Sequence, residues 1–303
     1  MKSLPTPDNI EDAVLCTHQG CMDGAGCAIM FLKAGGKREN IHYVAAGMLE
    51  AFFKKQLEKL SDKFIILADI GLTSGEGRKY AEMLQKRSRC VLLDHHATSE
   101  HLRNYSWCLI DQKKCGTQLL REYLRVQDAD SILLSTYIAD HDLWTRTLSA
   151  SVELASLSVY IGQDEFVTRF KDREISTFGL FTVSELDMLD VLSKRRDSIH
   201  DSAIKRVIIR QMNWGSDTAK VAYTFCQDMN SSLLLDRIIQ EHPEIDVACQ
   251  INLDKATASL RSRNGFDVSK MATYFGGGGH KAASGHRVSR KLIEDLVYEI
   301  HGA

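Results

Sequence analysis

Cys90-Val91-Leu92-Leu93-Asp94-His95-His96 is the stretch on which the reading of the fold turns. Four apolar residues are too few for a helix and suit a strand covered on both faces. The run stops at a carboxylate and two imidazoles, groups that are costly to bury without partners. The same order recurs upstream, where the apolar run 13–17 leads into His18 and 64–68 leads into Asp69. Residues 41–45 supply a fourth run, and helical patterns over 24–34, 49–60 and 75–86 lie between. Alternation of this kind predicts an α/β fold: a doubly wound, mainly parallel sheet with helices on both faces. Ligands of such sheets gather beyond the carboxyl ends of the strands, where these polar residues fall.

Further along, helices are predicted over 116–125 and 129–139, then in several segments to about 210. The charged stretch 182–210 reads as the connection to a smaller C-terminal α/β domain. That domain has expected strands at 220–225, 246–252 and 255–261, and helices at 232–242, 269–275 and 290–301. The chain therefore divides into an N-terminal domain over 1–182, a helical linker over 183–215 and a C-terminal domain over 216–303. A length of 303 residues suits two domains.

A hydrophobic content of 44% with only 3 prolines excludes a disordered chain. The net charge of −2 offers no general attraction for a long polyanion. A nucleic-acid substrate must then be gripped locally, which favours a small nucleotide or short single strand over duplex DNA. The eight cysteines form no C-x-x-C pair, which argues against a structural zinc module. No apolar signal core opens the chain and no window approaches 18 consecutive apolar residues, so neither secretion nor a membrane is expected. A reducing, cytoplasmic location follows.

Four clusters carry metal-type side chains: His18-x-x-Cys21-x-Asp23, Asp69, Asp94-His95-His96, and Asp140-His141-Asp142. Mixed carboxylate and imidazole sets suit Mn²⁺ and similar divalent ions. Two ions about 3.5–4 Å apart can activate a water and stabilise the leaving oxygen in phosphoryl hydrolysis. One carboxylate must bridge them, and Asp69, alone at a strand end, is the candidate. Each residue taken singly has a plainer reading, since an Asp after a strand is mostly a cap or turn residue. His141 reads as a solvated neighbour, and Asp142 as a local cap that competes with Asp140 for the ligand role. Four clusters in order at one sheet edge outweigh those readings.

Asp94-His95-His96, with His18, Asp23-Gly24, Asp69 and Asp140, resembles the DHH phosphoesterase superfamily. Phe275-Gly276-Gly277-Gly278-Gly279-His280-Lys281 and Ser259-Leu260-Arg261-Ser262-Arg263 resemble the substrate-binding domain that accompanies one branch of it. The likeness implies Mn²⁺-dependent hydrolysis of phosphoesters in small nucleotides or single strands, with Mg²⁺ or Co²⁺ as substitutes and one or two ions bound. Carried over by position, it implies that His18 and Asp69 hold one ion and that Asp23, Asp69, His95 and Asp140 hold the other. Asp94 would orient a neighbouring ligand, and His96 would face the scissile phosphate. The chain departs from the family at Cys21, where an Asp is usual; a thiolate there either binds with a softer metal preference or stands by.

Four glycines let backbone N–H groups approach an anion, and His280 adds a donor. Gly277, Gly278, Gly279, His280 and Arg261 are therefore the expected substrate contacts, with Arg263 as a second cation. The expected activity is hydrolysis of dinucleotides or very short oligonucleotides to mononucleotides, an exonuclease-type reaction. The alternatives are a nucleoside 3',5'-bisphosphate phosphatase, a cyclic-dinucleotide phosphodiesterase and, in another class, a catalytically weak nucleotide-binding sensor. A homodimer is compatible with all of them.

Overall fold

The computed structural model describes residues 4–289 apart from 46, 74, 227–230 and 264, together with 291 and 294; the side chains of 231 and 280 are also left out. The chain separates into two compact units, Met1–Asp190 and Val191–Ala303.

In the first unit the short apolar runs become β1 (Val14–His18), β2 (Ile41–Val44), β3 (Ile65–Ala68) and β4 (Cys90–Asp94). A further strand, β5 (Cys108–Ile110), is too short to leave a pattern in the sequence. All five pair in parallel, in the order β2-β1-β3-β4-β5. The helices are α1 (Met22–Lys33), α2 (Leu49–Gln56), α3 (Gly77–Arg87), α4 (Gly116–Tyr123), α5 (Ala129–Asp142), α6 (Ser149–Ile161), α7 (Gln163–Phe170) and α8 (Ile175–Phe178).

Alternate strand residues feed two cores, because successive side chains leave opposite faces. Leu15, Ile66, Val91 and Leu93 pack with Ile29 of α1, Leu119 of α4 and Phe166 of α7. Val14, Cys16, Ile65, Leu67 and Leu92 pack with Leu49 and Phe53 of α2 and Leu84 of α3. Burial on both faces is why the strands read as unbroken apolar runs. The strand order reverses between β1 and β3, the position at which doubly wound sheets open a crevice at their carboxyl edge.

α9 (Val183–Ile204) crosses from the first unit into the second. The helix expected to continue to 210 stops there, and Ile208–Trp214 becomes strand β6. Gly215, at φ 57°, turns the chain so that β6 pairs antiparallel with β7 (Asp217–Phe225). A strand partner two residues away overrides the local helical preference. The unit continues with α10 (Ser231–Glu241), β8 (Val247–Asn252), β9 (Thr257–Ser262), α11 (Val268–Tyr274), β10 (Gly278–His280) and β11 (Ala283–Arg287). Its sheet runs β10-β11-β9-β8-β7-β6, antiparallel except for β7 with β8. Val221, Cys249 and Leu260 pack on Val268 and Met271 on one side, and Ala222 and Ala248 on Leu234 and Ile238 on the other. The helix expected over 290–301 lies largely outside the described residues. Among the described residues no helix is long and apolar enough to cross a membrane.

Candidate metal centre

The carboxyl edge of the first sheet collects the polar residues. His18 closes β1, Asp69 follows β3 and Asp94 closes β4. Asp69 adopts φ 59°, a left-handed conformation that Asp tolerates better than most side chains, and its N–H donates to the Leu93 carbonyl at 3.1 Å. The carboxylate looks two ways. Oδ1 lies 3.2 Å from Nε2 of His95, while Oδ2 lies 3.2 Å from Sγ of Cys21 and 3.9 Å from Nδ1 of His18.

The other side chains are fixed from behind. Asp23, in the first turn of α1, accepts from the N–H groups of Gly116 at 2.6 Å and Thr117 at 2.8 Å, the opening amides of α4. Its Oδ2 lies 3.7 Å from Nε2 of His95. A methyl on Gly116 would stand 2.5 Å from Cβ of Asp69 and 3.0 Å from Oδ2 of Asp23, so only glycine fits between them. Asp94 is fully buried and accepts from the His95 N–H at 2.9 Å and from the Ser99 hydroxyl, and it pairs with Nδ1 of His96 at 2.8 Å. Gln163, the first residue of α7, ties the loop after β1: it donates to the His18 carbonyl at 2.9 Å and accepts from the Gly20 N–H at 2.8 Å. Cys21 caps α1, its sulfur accepting from the Gly24 N–H at 3.1 Å.

The fourth cluster requires a correction. Asp140, expected among the ligands, has its carboxylate taken up by local donors: the Thr145 hydroxyl, the N–H and hydroxyl of Thr147, the Leu148 N–H and the Ser151 hydroxyl, at 2.6–3.2 Å. These bonds outweigh the cost of its burial and hold the pKa of its carboxyl well below the usual carboxylate range. Asp142 comes to the cluster instead, with Oδ2 3.4 Å from Nε2 of His95. Two residues apart on a helix point roughly 200° apart, so α5 could offer only one of the pair. His141 is half-buried, and burial and Arg146 push its imidazole down to about 4.

Three groups of ligand atoms, each mutually within 4.8 Å, result: His18, Cys21 and Asp69; Asp23, His95 and Asp142; Asp69, Asp94, His95 and His96. The basic groups within 4 Å of Asp23, Asp69 and Asp142 include the imidazoles of His18, His95 and His96. Burial first, then Asp23 and Asp142, raises the Asp69 carboxyl well above its ordinary range. Asp142 is raised by the protein packed around its carboxyl and by Asp23. Burial also opposes ionisation of Asp94, but the His96 and Ser99 hydrogen bonds prevail and keep it low. Crowded carboxylates with imidazoles form a donor set that fits divalent ions.

In the second unit the glycine run is half of a hairpin, with β10 paired to β11 through Gly278 and Gly285 and through His280 and Ala283. A methyl on Gly277 would meet the Gly285 carbonyl at 2.1 Å, and one on Gly279 (φ 139°) the Ala283 carbonyl at 2.6 Å. Those two glycines are therefore demanded by the neighbouring strand, whereas Gly278 faces open space. The side chain of His280 lies outside the described residues. Arg261, on β9, donates to the Leu260 carbonyl at 3.0 Å and to the Ser232 hydroxyl of α10.

Sequence reading preferred Asp140 and kept Asp142 as its competitor; the carboxylate that faces His95 is that of Asp142. It missed Gly116, Thr117, Ser99 and Gln163. Their roles depend on contacts across the fold and leave no local pattern.

No family model matches the chain. It is similar to oligoribonuclease NrnB of Bacillus subtilis (strain 168), at 25% identity over 92% of this chain and 73% of that protein. It is also similar to a 3',5'-cyclic-nucleotide phosphodiesterase of Helicobacter pylori, at 22% identity over 81% of this chain and 82% of the relative. Among solved structures, the DHH domain of a protein from a ribosomal-protein family superposes with a TM-score of 0.57 at 10% identity, covering 96% of this chain and 87% of the other. That likeness is one of fold.

Proposed function

We propose, from its membership of the DHH phosphoesterase superfamily, that the chain is a metal-dependent phosphohydrolase cleaving phosphodiester bonds of short nucleotides, dinucleotides or very short oligonucleotides, to mononucleotides. The observation that carries this reading is the two-way carboxylate of Asp69, which faces His95 through one oxygen and His18 with Cys21 through the other. We assign His18, Cys21 and Asp69 to one cation position, and Asp23, Asp69, His95 and Asp142 to a second. Mn²⁺ suits the carboxylate–imidazole set of the second position, with Mg²⁺ or Co²⁺ as substitutes. Bound there, such ions lower the pKa of a water and polarise the phosphoryl oxygen.

The protein's own contribution is placement. The α4 amides aim Asp23, the left-handed backbone aims Asp69, and Asp94 grips Nδ1 of His96 so that the ring is held for the scissile phosphate. Within the second unit we assign nucleotide binding to Arg261 and to the hairpin from Gly277 to His280. The eight cysteines of the chain suit a reducing, cytoplasmic setting.

The test incubates purified protein and Mn²⁺ with a linear dinucleotide, a cyclic dinucleotide and an adenosine 3',5'-bisphosphate. Release of mononucleotides from the linear dinucleotide is expected. Preference for either other substrate would move the assignment to that class, and binding without release would identify a sensor.

A further inference from the structure

The two cation positions share Asp69 but differ in the chemistry of their remaining donors. Asp23, His95 and Asp142 complete one with oxygen and nitrogen; His18 and Cys21 complete the other with nitrogen and sulfur. The Cys21 sulfur is not a bystander in space. It lies 3.2 Å from Oδ2 of Asp69, and the Gly24 N–H fixes it at 3.1 Å as the cap of the 12-residue helix α1. Gln163 holds the same loop at His18 and Gly20, so the imidazole and the thiol are presented from a braced segment. The thiol donates to Oδ2 of Asp69, and the Gly24 N–H holds its sulfur at the opening of α1, so the donor atom already faces the shared carboxylate.

We infer that His18, Cys21 and Asp69 form a thiolate-containing position that selects a thiophilic divalent cation of the Zn²⁺, Co²⁺ or Cd²⁺ class, while the position built on Asp23, His95 and Asp142 keeps its taste for harder ions. The inference rests on the metal-centre reading above and deepens it: the chain carries two unlike ions side by side. On binding, the sulfur–hydrogen bond breaks, its proton leaves to solvent, and the sulfur lone pair forms the bond to the cation. Softness of the donor then decides the occupant, because thiolate gains more from a polarisable ion than carboxylate does.

The experiment titrates the metal-stripped full chain with Co²⁺ and follows the near-ultraviolet sulfur-to-cobalt charge-transfer band. Parallel competition measures Cd²⁺ against Mn²⁺ by bound-metal analysis. One band-forming equivalent per chain is expected in the parent protein and in Cys226→Ser, whose altered thiol lies in the other unit. Cys21→Asp and Cys21→Ser should lose the band, and Cys21→Asp should reduce the preference for Cd²⁺ over Mn²⁺ by roughly tenfold or more. Ser and Asp are both good helix caps, so neither variant removes the start of α1. A parent protein with no band, or Cys21 variants that keep it, would overturn the inference. Hydrolysis is scored separately. A band without turnover with any ion would remove the enzyme reading and leave this position standing; turnover without a band would do the reverse.

Discussion

Two acidic clusters of the first unit solve the same electrostatic problem in different ways. Glu185 of α9 is almost wholly buried, yet Arg173 donates to both of its oxygens, Arg169 stands at 3.5 Å and the Thr182 N–H adds a bond at 2.9 Å. Burial works against its charge, but Arg173 and Thr182 outweigh it and bring the carboxyl down to about 2. At the sheet edge, Asp23, Asp69 and Asp142 face one another and two imidazoles, and burial and mutual repulsion push Asp69 and Asp142 the opposite way. A buried acid with its own arginine is finished architecture. Acids gathered around imidazoles keep that mutual repulsion, which a cation from outside the chain would relieve.

Substitutions can break or sharpen that contrast. The largest effect is expected from Asp69→Ala, which removes a donor from both cation positions. Loss of several kcal/mol of transition-state stabilisation corresponds to a rate reduced on the order of 10³-fold in a dinucleotide assay. A variant within tenfold of the parent would end the bridging assignment.

Glu185→Gln should leave catalysis intact and cost about 3 kcal/mol in a denaturant titration at pH 7, by stranding Arg173. The folded pKa of Glu185 lies below the ordinary glutamate value near 4.3. Its stabilisation is therefore complete above about pH 5 and is lost as pH falls toward 2. The gap between parent and variant should close over that window; a gap that widens in acid would contradict the ion-pair account.

The aspartates of α5 should separate chemistry from support. Asp142→Asn is expected to lower the rate roughly 10²-fold with an unchanged melting temperature. Asp140→Asn should cost about 2 kcal/mol of stability, because charged acceptor bonds to Thr147 and Ser151 weaken. Exchanged phenotypes would restore Asp140 to the ligand set. The smallest effects belong to the hairpin. Gly277→Ala should destabilise the second unit by about 1–3 kcal/mol through its clash with Gly285. Gly278→Ala should change stability by less than about 0.5 kcal/mol and act, if at all, on KM.

What was legible in the sequence follows from what is local. Strands buried on both faces announce themselves as apolar runs, so β1, β3 and β4 and the polar residues that follow them could be read directly, while β2 is half-buried. The three-residue β5 and the edge strand β6 could not, since pairing rather than composition makes them strands. At 140–142 Asp140 was expected to face the cluster, whereas its carboxylate is consumed by Thr145, Thr147 and Ser151 in the turn that follows and Asp142, two residues on in the helical phase, faces His95. The glycine run was read as freedom near an anion, yet two of its members exist to let β11 lie close.

Gly116 belongs to none of the ligand motifs, but it governs how near two of them come. With a hydrogen where other residues carry carbon, it acts as a spacer of minimum thickness between Asp69 and Asp23. The spacing of these two carboxylates is thus encoded at a position with no donor atom in its side chain. An alanine there would widen the gap while leaving every ligand in the sequence untouched.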